Sequence, residues 1–199
     1  APEAALAGPD RARHVRQLTD PQDILKMADL WISRGMCEAD IRSSLERLLV
    51  DSPEWLDLRG HKFVCLGAGS EMGATRTLLS LGATVLAVEL PGNKKAWDSL
   101  QGFARSSPGV LEAPVRDGRV GADVVEDLPE VAAWICENAG QASQRLVVGC
   151  FLYLDGANFV RVATAADALF QLVLRERPNS VLSTLCSPTE AFCVPEPAA

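Results

Sequence analysis

One loop of the sequence carries glycines at a spacing that suits the binding of an anionic cofactor. It reads Gly67-Ala68-Gly69-Ser70-Glu71-Met72-Gly73, after an apolar run at 62–66 and before a predicted helix at 70–82. The first glycine permits a tight turn, the second lets backbone approach a pyrophosphate, and the third lets helix and strand pack closely. Free N–H groups at the helix start would then face the anion. We therefore expect a cofactor to contact this loop, at Gly67, Gly69, Ser70, Glu71, Met72 and Gly73.

An acidic residue closes the next apolar run. Residues 84–89 have the composition of a buried strand, and Glu89 ends it. A carboxylate at this point accepts both hydroxyls of a ribose and repels a 2′-phosphate. The expected cofactor is therefore NAD, with NADP as the less favoured form.

Other polar side chains follow later predicted strands. Asp123 lies in a predicted third strand at 121–125. The chain resembles dinucleotide-binding proteins, and that resemblance implies that an Asp near the end of this strand meets the adenine; a helix cap or a surface acid is an equally suitable role. Tyr153 and Asp155 follow a predicted fourth strand at 145–152. Ligands of parallel sheets bind at the carboxyl ends of the strands, so both are candidate catalytic residues. Asp155 is equally suited to cap the helix predicted at 157–177.

Histidine and cysteine chemistry is not expected. The two histidines are His14, near the N-terminus, and His61, which precedes the first predicted strand and so lies at the opposite sheet edge. This placement argues against a Ser–His–Asp triad and a histidine metal site. The six cysteines form no CxxC pair, so we expect no metal. Cysteines inside apolar runs (Cys65, Cys150 and Cys186) indicate a reducing, intracellular compartment.

Strands and helices alternate from residue 61 onwards. The predicted strands are 62–66, 84–89, 121–125, 145–152 and 181–186, with helices at 70–82, 93–105, 129–139 and 157–177 between them. This alternation predicts an α/β fold with a doubly wound parallel sheet in the order 3-2-1-4-5. Before it, Asp20-Pro21 starts one predicted helix and 38–50 forms another. The expected organisation is a helical extension at 1–60, a nucleotide-binding domain at 61–192 and a loose tail at 193–199.

Composition limits the partners. The 199 residues carry a formal net charge of −7, without a cluster of basic residues, which argues against nucleic-acid binding. No apolar stretch approaches the ~20 residues that span a bilayer, so we expect a soluble chain without membrane insertion. A sheet that ends at five strands leaves an edge that a second copy or a partner subunit would cover.

The stretch 64–89 resembles the NAD(P)-binding Rossmann-fold superfamily, including the short-chain dehydrogenases/reductases. That resemblance implies a Rossmann-like fold, a NAD(P) cofactor and oxidoreductase chemistry. The reductases' Tyr-x-x-x-Lys pair is missing, because Tyr153 is the sole tyrosine and position 157 is alanine. The same stretch resembles class I S-adenosylmethionine-dependent methyltransferases, although Cys65 stands where that family usually has an acid.

Three functions follow from these observations. The first is an oxidoreductase-related NAD(P)-binding domain that forms part of a larger protein. The second is a methyltransferase that uses S-adenosylmethionine. The third is a non-catalytic module that binds a nucleotide or a protein.

Overall fold

The computed structural model describes residues 20–141 and 144–185. They divide into two compact units, the first ending at Leu56 and the second beginning at Asp57. His14, Cys186 and the tail at 193–199 lie outside the described residues.

The first unit is helical. Helix α1 (Pro21–Ser33) begins where the sequence predicts, because the Asp20 carboxylate accepts a hydrogen bond of 2.7 Å from the backbone N–H of Gln22. Helix α2 (Asp40–Glu46) continues into a π-helical turn at Arg47–Asp51 and is followed by a 3₁₀ turn at Pro53–Leu56.

The second unit contains a five-stranded parallel sheet. Its strands and one separate hairpin are β1 (Lys62–Leu66), β2 (Thr84–Val88), β3 (Val110–Glu112), β4 (Val115–Arg116), β5 (Arg119–Val120), β6 (Val147–Cys150) and β7 (Val181–Thr184). The sheet has the order β3-β2-β1-β6-β7, and β4 pairs with β5 outside it. The predicted α/β class is confirmed, as is the order 3-2-1-4-5 of the parallel strands.

Helices cover both faces of this sheet. They are α3 (Thr75–Ser80), α4 (Lys94–Arg105), α5 (Leu128–Asn138) and α6 (Ala157–Glu176). Alternate residues of β1 and β2 point to opposite faces, as the pleat of a strand requires. Val64 and Leu86 pack with residues of α5 and α6, whereas Cys65 and Val85 pack with residues of α3 and α4.

The predicted third strand at 121–125 is wrong. The strand that pairs with the outer side of β2 is β3, which lies earlier in the chain than the predicted strand. Gly121 has a φ of 106°, which interrupts an extended chain, and the following residues form an irregular buried loop. Ala122 and Val124 are buried in the core from that loop, so their apolar character reflects burial without strand pairing.

The first helix after β1 also differs from its prediction. Helix α3 begins at Thr75, not at Ser70. The intervening residues form turns, in which the N–H of Ser70 donates to the carbonyl of Gly67 and the N–H of Gly73 donates to the carbonyl of Ser70. The glycine loop therefore does not lead directly into a helix.

Helix α6 shows two departures from the sequence analysis. Among the described residues it is the one helix long and apolar enough to cross a membrane, by length and composition alone. Its inward face includes the buried side chains of Leu169, Phe170 and Val173. The helical spacing of that face also predicts an inward side chain at Phe159, but Phe159 is half exposed.

Candidate functional site

A cleft of about 500 Å³ opens at the carboxyl ends of β1, β2 and β6. Four segments line it: the glycine loop after β1, the start of the β2–α4 connection, the loop at 122–126, and the β6–α6 connection with the first turns of α6. The lining residues are Gly67, Gly69, Ser70, Val88, Glu89, Leu90, Asn93, Ala122, Asp123, Val124, Val125, Glu126, Phe151, Leu152, Tyr153, Leu154, Asn158, Arg161 and Val162. This is the edge at which parallel α/β sheets bind ligands.

Glu89 lies in the cleft and is held by three hydrogen bonds. Its Oε2 accepts from the backbone N–H of Gly69 at 2.9 Å. Its Oε1 accepts from the backbone N–H of Leu90 at 3.0 Å and from Nδ2 of Asn93 at 3.1 Å. The carboxylate is therefore fixed beside the glycine loop and retains lone pairs for further donors, since each oxygen accepts more than one hydrogen bond.

The first two glycines of the loop are needed for close packing within the protein. Gly67 has a φ of 72°, and a Cβ on it would lie 3.0 Å from the backbone carbonyl of Phe151. A Cβ on Gly69 would lie 2.6 Å from the Cβ of Ala96 and 2.9 Å from Oε2 of Glu89. The missing side chain of Gly69 thus makes room for α4 and for Glu89.

The remaining predicted loop residues have different positions. Ser70 lines the cleft, whereas Glu71, Met72 and Gly73 do not. Met72 is 78% exposed. The part of the loop that meets the cleft is therefore its first half.

Asp123 lines the cleft from the loop at 122–126. Its Oδ1 accepts from the backbone N–H of Val125 at 2.8 Å, so the carboxylate shapes its own loop. Asp127 supports the same loop, because its Oδ2 accepts from the backbone N–H of Asp123 at 3.0 Å. The other oxygen of Asp127 meets Arg116 of the β4–β5 hairpin at 3.4 Å. Asp127 occupies the N-cap position of α5 but its side chain makes no cap hydrogen bond.

The two candidate catalytic residues differ in position. Tyr153 lines the cleft and its side chain is largely exposed, at 79%. Asp155 is exposed and is not among the lining residues. It does not cap α6 either, because Gly156 is the N-cap residue and no side chain caps that helix.

Several residues of the cleft were not predicted as site residues. Arg161 and Glu126 form an exposed ion pair of 3.2 Å on the cleft lining. Asn93 reaches the cleft by holding Glu89. Arg161 follows Asn158, another lining residue, by three positions, so the two share one face of α6.

Two cysteines lie in the strands that border the cleft, Cys65 in β1 and Cys150 at the end of β6. Burial raises the pKa of the Cys65 thiol to about 11. Burial also raises the pKa of the Cys150 thiol above its ordinary value. Both side chains therefore remain neutral thiols at physiological pH and offer no thiolate nucleophile.

Within residues 20–141 and 144–185, no group of three His, Cys, Asp or Glu side chains is arranged to hold a metal ion.

Comparison of the chain with protein-family models, with curated proteins and with solved structures found no match.

Proposed function

We propose that the chain contains a Rossmann-like domain that binds an adenosine-containing cofactor in the cleft. The observation that carries this proposal is the position of Glu89, a carboxylate at the end of β2 that faces the same cleft as the loop following β1. Strand, glycine loop and acid stand in the relation that nucleoside-binding α/β domains use.

Glu89 would accept the ribose hydroxyls of this cofactor. Its two oxygens are already oriented by the Gly69 and Leu90 N–H groups and by the Asn93 amide. A carboxylate that accepts from several fixed donors is well oriented, so it is a strong acceptor for a ribose diol.

The adenine would lie against the loop at 122–126. Ala122 and Val124 provide an apolar surface there. Leu90, which follows Glu89 in the chain, is a further apolar lining residue. The indole Nε1 of Trp97 donates to the carbonyl of Leu90 at 3.0 Å, which fixes the backbone on this side. Apolar walls with a few placed polar groups are typical of cofactor sites.

Two reaction classes use an adenosine cofactor of this kind: hydride transfer with NAD or NADP, and methyl transfer with S-adenosylmethionine. Tyr153 belongs to the cleft lining in the β6–α6 connection, and it is the residue we assign to the reacting end. Asp155 remains a weaker candidate because it lies outside the lining. A chain that binds the cofactor without turnover would be the non-catalytic module considered from the sequence.

The direct test is calorimetric titration of the chain with NAD, NADH, NADP, NADPH and S-adenosylmethionine, alongside the Glu89→Gln variant. We expect at least one cofactor to bind, and Glu89→Gln to weaken that binding about tenfold because it removes the charge from the ribose acceptor. Glu71→Gln is the matched control, since Glu71 belongs to the same loop but lies outside the cleft lining.

The two variants separate the outcomes. Equal affinity of Glu89→Gln and the unmodified chain would refute the ribose assignment. An equal loss of cofactor affinity in Glu71→Gln would mean that the net charge of the protein, and not a contact in the cleft, determines binding. If none of the cofactors binds, the proposed adenosine site is refuted.

A further inference from the structure

We infer that the cofactor cleft takes a nucleoside whose 5′ substituent is uncharged or cationic, and that it disfavours a 5′-phosphate or pyrophosphate. This inference rests on the proposed adenosine site and specifies the ligand class of that site. Four observations carry it: the amides of the glycine loop, the space around Gly69, the start of α3, and the charges of the lining.

The first four amides of the glycine loop already donate hydrogen bonds within the protein. The N–H groups of Gly67 and Ala68 donate to the carbonyl of Val88, at 2.9 and 3.1 Å. The N–H of Gly69 donates to Glu89 and that of Ser70 to the carbonyl of Gly67. A phosphate-binding loop instead points free N–H groups at its anion.

The space next to Gly69 is also occupied. In a pyrophosphate site the second glycine leaves room for the phosphate to approach the backbone. Here the Cβ position of Gly69 lies 2.6 Å from Ala96 and 2.9 Å from the Glu89 carboxylate. An anion brought to this point would meet another anion.

Helix α3 does not supply the missing donors. It has six residues and begins at Thr75. The lining residues from this part of the chain end at Ser70, so the first turn of α3 is not part of the cleft surface.

The charge of the lining has the same sign as a phosphate. Glu89, Asp123 and Glu126 are acidic, and Arg161 is the one basic residue among the lining residues that the structure describes. Arg161 is paired with Glu126. Of the nearby lysines, Lys94 is paired with Asp98 at 2.7 Å and neither Lys94 nor Lys95 belongs to the lining.

A thioether or sulfonium substituent meets these conditions better than a pyrophosphate. The amino-acid end of such a substituent balances its carboxylate with an ammonium group, so the thioether form has no net charge. The sulfonium form has a net positive charge, which the excess of carboxylates would attract. S-adenosylmethionine and S-adenosylhomocysteine are the corresponding ligands, and NAD the disfavoured one.

The test is a titration series in which only the 5′ substituent changes: adenosine, AMP, ADP, S-adenosylhomocysteine and NADH, each at low and at physiological ionic strength. We expect adenosine and S-adenosylhomocysteine to bind, and AMP to bind about tenfold more weakly than adenosine. The difference between AMP and adenosine should shrink as salt is added, because salt screens repulsion between partly exposed charges.

A charge variant tests the cause. Glu126→Gln should reduce the ratio of adenosine affinity to AMP affinity, because it removes one negative charge from the lining and releases Arg161 from its ion pair. The ratio is the measured quantity, so a change in adenosine affinity alone does not affect the test. Glu130→Gln is the control, because Glu130 is exposed on α5 and lies outside the cleft lining. It should leave the difference as it is.

The failure of this inference differs from failure of the proposed function. Affinity for AMP, ADP or NADH that equals or exceeds that for adenosine would overturn the exclusion of phosphate but keep the adenosine site. Absence of binding by all five ligands and by S-adenosylmethionine would overturn both.

Discussion

The carboxylate of Glu89 accepts a hydrogen bond from the backbone N–H of Gly69 at 2.9 Å, across twenty residues of sequence. This contact joins the loop after β1 to the end of β2, at the mouth of the cleft. It makes Glu89 a structural residue as well as a candidate ligand-binding one, and the two roles have separate measurements.

Replacement of Glu89 by alanine should lower the free energy of unfolding by about 1–3 kcal/mol, because the half-buried Gly69 N–H loses its acceptor. Urea unfolding of the unliganded protein measures this. Glu71→Ala should change stability by less than about 0.5 kcal/mol, since Glu71 is exposed. Equal stability of the two variants would mean that the Gly69 contact contributes nothing measurable.

Gly67→Ala should destabilise the protein by more than Gly60→Ala. Both glycines have a positive φ, which costs an alanine about 1–2 kcal/mol. A Cβ on Gly60 meets nothing within 4 Å, whereas one on Gly67 lies 3.0 Å from the backbone of Phe151. The difference in the urea midpoints of the two variants therefore reports the close approach of the glycine loop to the end of β6. Identical midpoints would contradict that packing.

Asp127→Ala should cost about 1–2 kcal/mol, because the Asp123 N–H in the cleft loop loses its acceptor. Arg116→Ala removes only the ion pair with Asp127, in which Arg116 is 70% exposed, and should cost less than about 0.5 kcal/mol. Thermal unfolding of both variants separates the backbone contact from the ion pair. If Arg116→Ala lowered stability more than Asp127→Ala does, the ion pair and not the backbone contact would be the larger contribution.

Cys65 should resist alkylation in the folded protein. Its raised pKa keeps the thiol protonated, and it is fully buried. Iodoacetamide labelling at pH 8, read by peptide mapping, should modify Cys65 in urea but not in buffer. Rapid labelling of Cys65 in buffer would contradict its burial.

The raised pKa of Cys65 also makes the stability of the folded protein depend on pH. Because the pKa of Cys65 is about 11 in the folded state against an ordinary 9.0, the neutral thiol is favoured by folding. The stabilisation of the folded state by this neutral thiol is fully present below pH 9 and is lost as the pH rises towards 11. Cys65→Ala should therefore lose stability less steeply across this interval than the unmodified protein does.

The sequence predicted the elements whose signals are local. The Asp20-Pro21 pair marked the start of α1, and the apolar runs at β1 and β2 marked two strands buried on both faces. The parallel order followed from the alternation of strands and helices. These features depend on neighbouring residues, so a single sequence contains the information.

The errors arose where tertiary contacts decide. The run Gly121-Ala122-Asp123-Val124-Val125 is apolar because it is buried beside the cleft, while the less apolar Val110–Glu112 pairs with β2. The spacing of the glycines suggested a phosphate cradle, but the close approach of Ala96 to Gly69 depends on the position of α4. The side-chain direction of Glu89 towards that loop could not be read from its place at a strand end.

The burial of the strands differs from one side of the sheet to the other. Val85, Leu86, Ala87 and Val88 of β2 are fully buried, whereas every residue of β7 is exposed. Amide hydrogens should accordingly exchange with solvent fastest at β7 and slowest at β1 and β2. The cleft joins a slowly exchanging half, at Glu89, to the β6–α6 half, at Asn158. A ligand that contacts both halves would slow the opening of the faster-exchanging half. Amide exchange should therefore also slow at residues that the ligand does not touch.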